Sequence, residues 1–230
     1  MTWGELEYTI LANQVRNKRL EEQHEELMDA IRENDLTGFF TLVESGSGVN
    51  FIYDNMTPLY MALEYNNIDI FKVLLDLNAD INQVIDGHTV VWESLWQQKT
   101  EFFLLMASKI KKSTKDSDGK TILMEAVALS NLEAVKACIT YKHNVNAQDK
   151  NGNTPLHYAL NKDKLNDNDK AIINILIMSG ADPLAQNHNG NSPSDMAEKA
   201  TAPTQAPSAP KNTNTGPKKT QKRIQKLTPK

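Results

Sequence analysis

The chain carries one cysteine, Cys138, which excludes an intrachain disulfide and makes a reducing compartment the default expectation. No run approaches the roughly 18 consecutive apolar residues of a membrane-spanning helix, so no membrane span is expected. The opening residues, MTWGELEYTILANQ, have no basic start, no unbroken apolar segment and no small-residue cleavage site, so a Sec-type leader is not expected either. Catalytic signatures are missing too. There is no G-x-x-x-x-G-K-S/T, no G-x-S-x-G, no H-E-x-x-H and no paired-cysteine zinc spacing. Neither an enzyme nor a resident metal or cofactor is expected. Aromatic residues make up only 7% of the chain, so two tryptophans on one helix face stand out.

The net charge of −4 conceals a division. Residues 201–230 hold seven basic side chains and no acid, which leaves residues 1–200 with 18 basic and 29 acidic ones, a net of −11. That last stretch is rich in Pro, Thr, Lys and Asn, with Ile224 and Leu227 its only large apolar residues. It cannot bury enough surface to offset its ordering entropy and is expected to be a disordered tail. Its PKKTQKR run fits a solubilising stretch, a nuclear-import signal or a C-terminal export signal of the type IV secretion kind. It lacks the aromatic interleaving of a nucleic-acid binder, so nucleic acid is not the expected partner.

What is present is a repeat. TPLYMAL from Thr57, TVVWESL from Thr89, TILMEAV from Thr121 and TPLHYAL from Thr154 follow one another at spacings of 32, 32 and 33 residues. A second apolar stretch follows each, then a turn such as NADIN (78–82), HNVN (143–146) or GADP (180–183). Repetition at this period means small units that bury a core only against their neighbours. Threonine before each phrase can cap a first helix, and Pro58 and Pro155 suit its first position. Ala62, Ser94, Ala126 and Ala159 are small enough for two helices to approach. Second helices show apolar spacing at Phe71, Leu74, Leu75; Phe103, Met106, Ala107; Val135, Cys138, Ile139; and Ile173, Leu176, Ile177. Gly87, Gly119, Gly152 and Gly190 mark the connecting turns.

These copies resemble the ankyrin repeat, whose phrase runs D-x-x-G-x-T-P-L-H-x-A. Residues 149–159, DKNGNTPLHYA, fit every specified position; 116–126, 52–62 and 84–94 fit progressively fewer. The resemblance implies an all-α solenoid of stacked helix-turn-helix units joined by hairpin turns. On that reading residues 1–25 form an N-terminal capping helix. Units follow over 26–51, 52–83, 84–115, 116–148 and 149–186, then a terminal cap over 187–200 and the tail over 201–230. The surplus in the fifth unit falls in NKDKLNDNDK (161–170), expected to be a protruding acidic finger.

Function follows from the same resemblance. The family binds proteins through turn tips and first-helix ends, which together form a concave face. Carried over place by place, the contact positions are Tyr53, Asp54, Met56, Glu64 and Tyr65, then Asp86, His88, Trp96 and Gln97. Ser117, Asp118, Lys120, Ala128 and Leu129 follow, then Lys150, Asn151, Asn153, Asn161 and Lys162. Tyr53, Met56, Tyr65, Trp96 and Leu129 would form an apolar strip rimmed by Asp54, Glu64, Asp86 and Asp118, suited to a partner with a hydrophobic anchor and basic flanks. His157 and Trp92 are expected to be structural, and Cys138 a core residue. The leading reading is a monomeric, cytoplasmic protein-binding module or adaptor. A translocated effector that perturbs host signalling is the alternative, and an enzyme acting through Cys138 or His157 the least favoured.

Overall fold

Each threonine of the repeated phrase turns extended backbone into a helix. In the computed structural model, which describes residues 3–201, their φ/ψ values are −95/157, −108/161, −87/163 and −93/168 degrees at Thr57, Thr89, Thr121 and Thr154. Thr57 Oγ1 accepts the Tyr60 N–H at 3.0 Å and Thr121 Oγ1 the Met124 N–H at 3.3 Å. At Thr154 the side chain of His157 closes the turn. The Thr154 N–H donates to His157 Nδ1 at 3.1 Å, which leaves the Nε2–H to donate to the Asn191 carbonyl at 3.0 Å. His157 is 2% exposed and ties the fifth unit to the next turn, the structural role its place in the phrase implied.

Eleven α-helices follow in order among the described residues. They are α1 (Trp3–Glu33), α2 (Leu36–Glu44), α3 (Pro58–Glu64), α4 (Ile68–Asp76), α5 (Val90–Trp96) and α6 (Thr100–Met106). After a single 3₁₀ turn at Ala107–Lys109 come α7 (Ile122–Ala128), α8 (Leu132–Thr140), α9 (Pro155–Leu160), α10 (Asp167–Met178) and α11 (Pro193–Thr201). The first helices α1, α3, α5, α7 and α9 pack in one row, and α4, α6, α8 and α10 in a second row behind it. Ala62, Ser94, Ala126 and Ala159 are at most 1% exposed, where the two rows meet. Ser94 is tolerated there because its hydroxyl donates to the Val91 carbonyl at 2.7 Å. Phe71, Leu74, Phe103, Met106, Val135, Cys138 and Leu176 fill the core behind them. Burial pushes the Cys138 thiol up to about 12, so this cysteine packs rather than reacts.

Polar side chains reinforce the stacking. The carbonyl one residue past the small position, at Ile31, Leu63 and Val127, accepts one N–H from its own closing turn and has a second lone pair to offer. In each case the following unit supplies the donor: Asn67 to Ile31, Lys99 to Leu63 at 2.6 Å and Lys162 to Val127 at 3.2 Å.

Three expectations change. The insertion is not a protruding finger: α10 begins at Asp167, and Asp169 is 1% exposed. Lys162 draws the loop inward. Ile177 is 50% exposed, because α10 turns Ile172 and Leu176 inward instead. At the other end α1 runs unbroken through residue 25, and residues 11–22 are almost entirely exposed. That segment is rich in charge, and its apolar residues Leu11, Val15 and Leu20 are exposed rather than set against the stack. Leu27, Met28 and Ile31, fully buried, cover it. The basic tail expected over 201–230 lies outside the described residues from 202 onward.

The third unit is the least regular. Thr89 makes no side-chain cap, and α6 has seven residues where α4 and α8 have nine. Asn78, Lys142 and Gly180 close their second helices at φ of 60, 60 and 87 degrees, whereas α6 ends in the 3₁₀ turn without such a residue. In a linear array the weakest unit limits cooperativity. Amide exchange should therefore be faster over 88–110 than over 121–139 and 154–178; the reverse order would overturn this ranking. Val90 occupies the first helical position after an extended Thr89, as Pro58 and Pro155 do after Thr57 and Thr154. Val90→Pro should raise stability in urea by about 0.4–1 kcal/mol.

Candidate protein-binding surface

The hairpin tips are of two kinds. In the second and third units, Tyr53 pairs with Met56 and Ile85 with His88, across two-residue turns whose central residues all have positive φ (Asp54 47, Asn55 59, Asp86 50, Gly87 84 degrees). This is the turn that matches hairpin twist, and asparagine can stand in for glycine there. In the later tips an Asx side chain takes over. Asp116 accepts the Asp118 and Lys120 N–H groups, Asp149 those of Asn151 and Asn153, and Asn187 those of Asn189 and Asn191. The tips also interlock: Lys150 N–H donates to the Asp118 carbonyl at 2.9 Å, and His188 N–H to that of Asn151 at 2.9 Å.

On the first-helix row, Tyr65, Trp96 and Leu129 are 45%, 38% and 37% exposed at the ends of successive helices. Tyr53 and Met56 are half-buried beside the second tip. Burial, and then Glu25 and Asp54 nearby, raise the Tyr53 phenol pKa. Arg32 sits 6.0 Å from the Tyr65 ring centroid. Trp92 is buried as expected. Trp96 is fixed without being buried. Its indole N–H donates to Glu125 at 2.9 Å, and its ring meets His88 edge-on at 4.6 Å.

Several candidates are engaged within the chain. Gln97 donates to both Glu64 and Glu93 at 2.8 Å, and Asn55 donates to Asp86 at 2.5 Å. Asn153 accepts from Asn187 at 2.8 Å. Lys162 is taken up by Asp169 at 2.5 Å and Ser130 at 2.6 Å. Lys120 pairs with Glu125 at 2.8 Å and lies 4.9 Å from the Tyr158 ring centroid. Ser117, Asp118, Lys150, Asn151 and Asn161 are exposed, and Ala128 is half-buried.

Glu93, Glu125 and Tyr158 were absent from the sequence-derived set although they share one place, the x of H-x-A. Burial first, then the hydrogen bond to Asp149 at 2.7 Å, raises the Tyr158 phenol pKa. For Asp149 burial works the other way, but hydrogen bonds from Tyr158, Asn153 and Asn151 outweigh it and hold the carboxyl below its ordinary value. The result is a chain of contacts, Trp96–Glu125–Lys120–Tyr158–Asp149, spanning three units. Among the described residues no three His, Cys, Asp or Glu side chains gather as a metal site would need, and no helix is long and apolar enough to cross a membrane.

Protein phosphatase 1 regulatory subunit 27 of Mus musculus and that of Homo sapiens are each 40% identical to this chain over 76 residues, 33% of this chain and 46% of theirs. The chain thus spans under half the length of these curated relatives. An ankyrin repeat domain from Acinetobacter baumannii AYE superposes with a TM-score of 0.68 over 76% of this chain and 90% of its own; at 21% identity it shows the fold alone. The family model for ankyrin repeats (3 copies) matches residues 27–114 and 96–187. Together with the helix pairs and hairpin tips these residues form, that match shows that the chain belongs to the ankyrin repeat family.

Proposed function

We propose that this chain is a binding module or adaptor that holds a partner protein against its tips and first-helix ends, the concave face in this family. The observation that carries the proposal is the line of Tyr65, Trp96 and Leu129, each more than a third exposed on consecutive units. Large aromatic side chains held in place by their own hydrogen bonds make low-entropy anchors, and aromatics dominate binding hot spots. Asp54, Glu64, Asp86 and Asp118 are exposed around the line, which suits a partner segment with an apolar anchor and basic flanks. Similarity to a phosphatase regulatory subunit favours a regulatory partner over a catalyst.

The test is affinity capture with mass spectrometry, comparing the parent chain with the Trp96→Ala, Tyr65→Ala double variant. Loss of two anchors worth about 2 kcal/mol each should reduce recovery of the specific partner at least tenfold. Equal recovery would refute the groove.

A further inference from the structure

The carboxylates of the first-helix face fall into two groups. In the fourth unit Lys120 pairs with Glu125 at 2.8 Å, while Asp118 at that unit's tip has no Lys or Arg partner among the described residues; behind the first helices Lys162 pairs with Asp169 of α10 at 2.5 Å. In the second and third units Asp54, Glu64, Asp86 and Glu93 have no such partner. Among the described residues none of them has a Lys or Arg nitrogen within 4.0 Å. Asp86 accepts from Asn55, and Glu64 and Glu93 accept from Gln97, all neutral amides. The neighbouring cation, Lys99, is spent on the Leu63 and Glu64 carbonyls at 2.6 and 3.1 Å.

These charges surround a shaped, aromatic-walled opening. A cleft of about 190 Å³ lies between the second and third tips, lined by Asp54, Met56, Tyr60, Asp86, His88 and Glu93. It is sized for a single side chain and too small for a helix. The Tyr60 phenol pKa is raised, first by burial and then by Glu93, Glu64 and Asp86, of which Glu93 and Asp86 line the cleft beside it. One wall continues through His88 to Trp96, the edge-on pair at 4.6 Å. A cation there would meet carboxylates and an aromatic surface together, and both attract it.

Resting on the binding-module reading above, we propose that the face between α3 and α5 docks an extended basic segment of the partner, with one arginine or lysine side chain in the Tyr60–His88–Glu93 cleft. The groove is thereby polar along its length. Four uncompensated carboxylates lie at the second and third units, against Asp118, the exposed Lys150 and the Lys120–Glu125 pair at the fourth and fifth. The partner's basic end therefore lies toward α3 and its apolar anchor toward Trp96 and Leu129. Charge complementarity selects this occupant, since an acidic segment would meet four unpaired carboxylates.

The probe is Nα-acetyl-argininamide, titrated into the full chain by ¹⁵N–¹H NMR beside Nα-acetyl-citrullinamide, its neutral analogue. The arginine probe should give saturable shifts confined to residues 53–60 and 85–97, and the citrulline probe should not. Glu93→Gln, which keeps the shape and an acceptor for Gln97, should weaken arginine binding at least fivefold. Glu133→Gln removes the same charge from an exposed residue on α8 and should leave binding unchanged. Equal binding of both probes, equal effects of both substitutions, or shifts scattered over other acidic surface would each overturn the proposal. If Trp96→Ala with Tyr65→Ala abolishes partner capture while Glu93→Gln binds the arginine probe like the parent, the cationic subsite is refuted and the module reading stands. If capture survives the double variant while the arginine subsite is confirmed, the apolar anchor line is what fails.

Discussion

Replacing Asp169 by alanine should cost about 3 kcal/mol of stability, a large loss for a single carboxylate in the first turn of a helix. Its side chain is 2% exposed and that of Lys162, its partner at 2.5 Å, is 17% exposed. One oxygen also accepts from the Ser130 hydroxyl at 2.7 Å, and the other from the Asn166 N–H at 2.9 Å. Removing the carboxylate leaves a largely desolvated ammonium without its counter-ion and takes away half of the capping box that starts α10. The penalty sits at the low end for a buried pair, because the Lys162 stem can swing its charge toward water. A control lies on the same helical turn. Asp167 pairs with Lys170 at 2.9 Å, but its side chain is 98% exposed, so Asp167→Ala should leave the urea midpoint unchanged.

The same carboxylate gives a pH signature. Burial alone would raise the Asp169 pKa, but hydrogen bonds from Lys162, Ser130 and Asn166 reverse that and hold it below the ordinary 3.8. The folded state then binds the proton more weakly than the unfolded chain does. Its contribution is complete above the unfolded value of about 3.9 and is lost as pH falls through the lower folded value. Asp149 is depressed in the same direction and adds to the same acid limb. Asp169→Asn should flatten that limb while lowering stability near neutral pH. An unchanged acid profile would show that Asp169 is not part of the coupling.

The Lys162–Asp169 pair also shows where reading the sequence stopped. Thr57, Thr89, Thr121 and Thr154 announced their helices, because an extended threonine before a helix is a local matter of backbone and cap. The small positions Ala62, Ser94, Ala126 and Ala159 were equally legible, since two helix rows meet there whatever surrounds them. An inserted loop has no such period. Whether NKDKLNDNDK projects or folds inward depends on Lys162 reaching Val127 and Ser130, more than 30 positions earlier in the chain. The candidate surface divides in the same way. The places of Tyr65, Trp96 and Leu129 follow from the phrase, but Trp96 meeting Glu125 depends on the rotation between neighbouring units. Glu93 and Glu125 were hidden for another reason: their place in the phrase tolerates any residue, so composition there carries no flag.

Substitutions at the turn glycines should separate backbone strain from steric clash, and Gly152→Ala should be the most damaging. Gly87, Gly119 and Gly152 occupy the same place in the phrase at φ of 84, 78 and 77 degrees, so alanine meets the same left-handed penalty of about 1 kcal/mol at each. Their surroundings differ. A β-carbon at Gly87 would meet nothing within 4 Å, one at Gly119 would approach the Lys150 amide nitrogen at 3.1 Å, and one at Gly152 would lie 2.9 Å from the His188 amide nitrogen. At Gly152 the obstacle is backbone already committed, since His188 N–H donates to the Asn151 carbonyl at 2.9 Å. Relief requires the fifth tip and the terminal turn to separate, which also strains the His157 bond to Asn191. Overpacking of this kind adds about 2 kcal/mol, giving roughly 3 kcal/mol for Gly152→Ala against about 1 for Gly87→Ala, with Gly119→Ala between. Urea denaturation of the three variants checks the order, and amide exchange should show the Gly152 loss concentrated in 149–201. Three equal losses would mean that the tips are independent of one another, and that the stack is held by its helices alone.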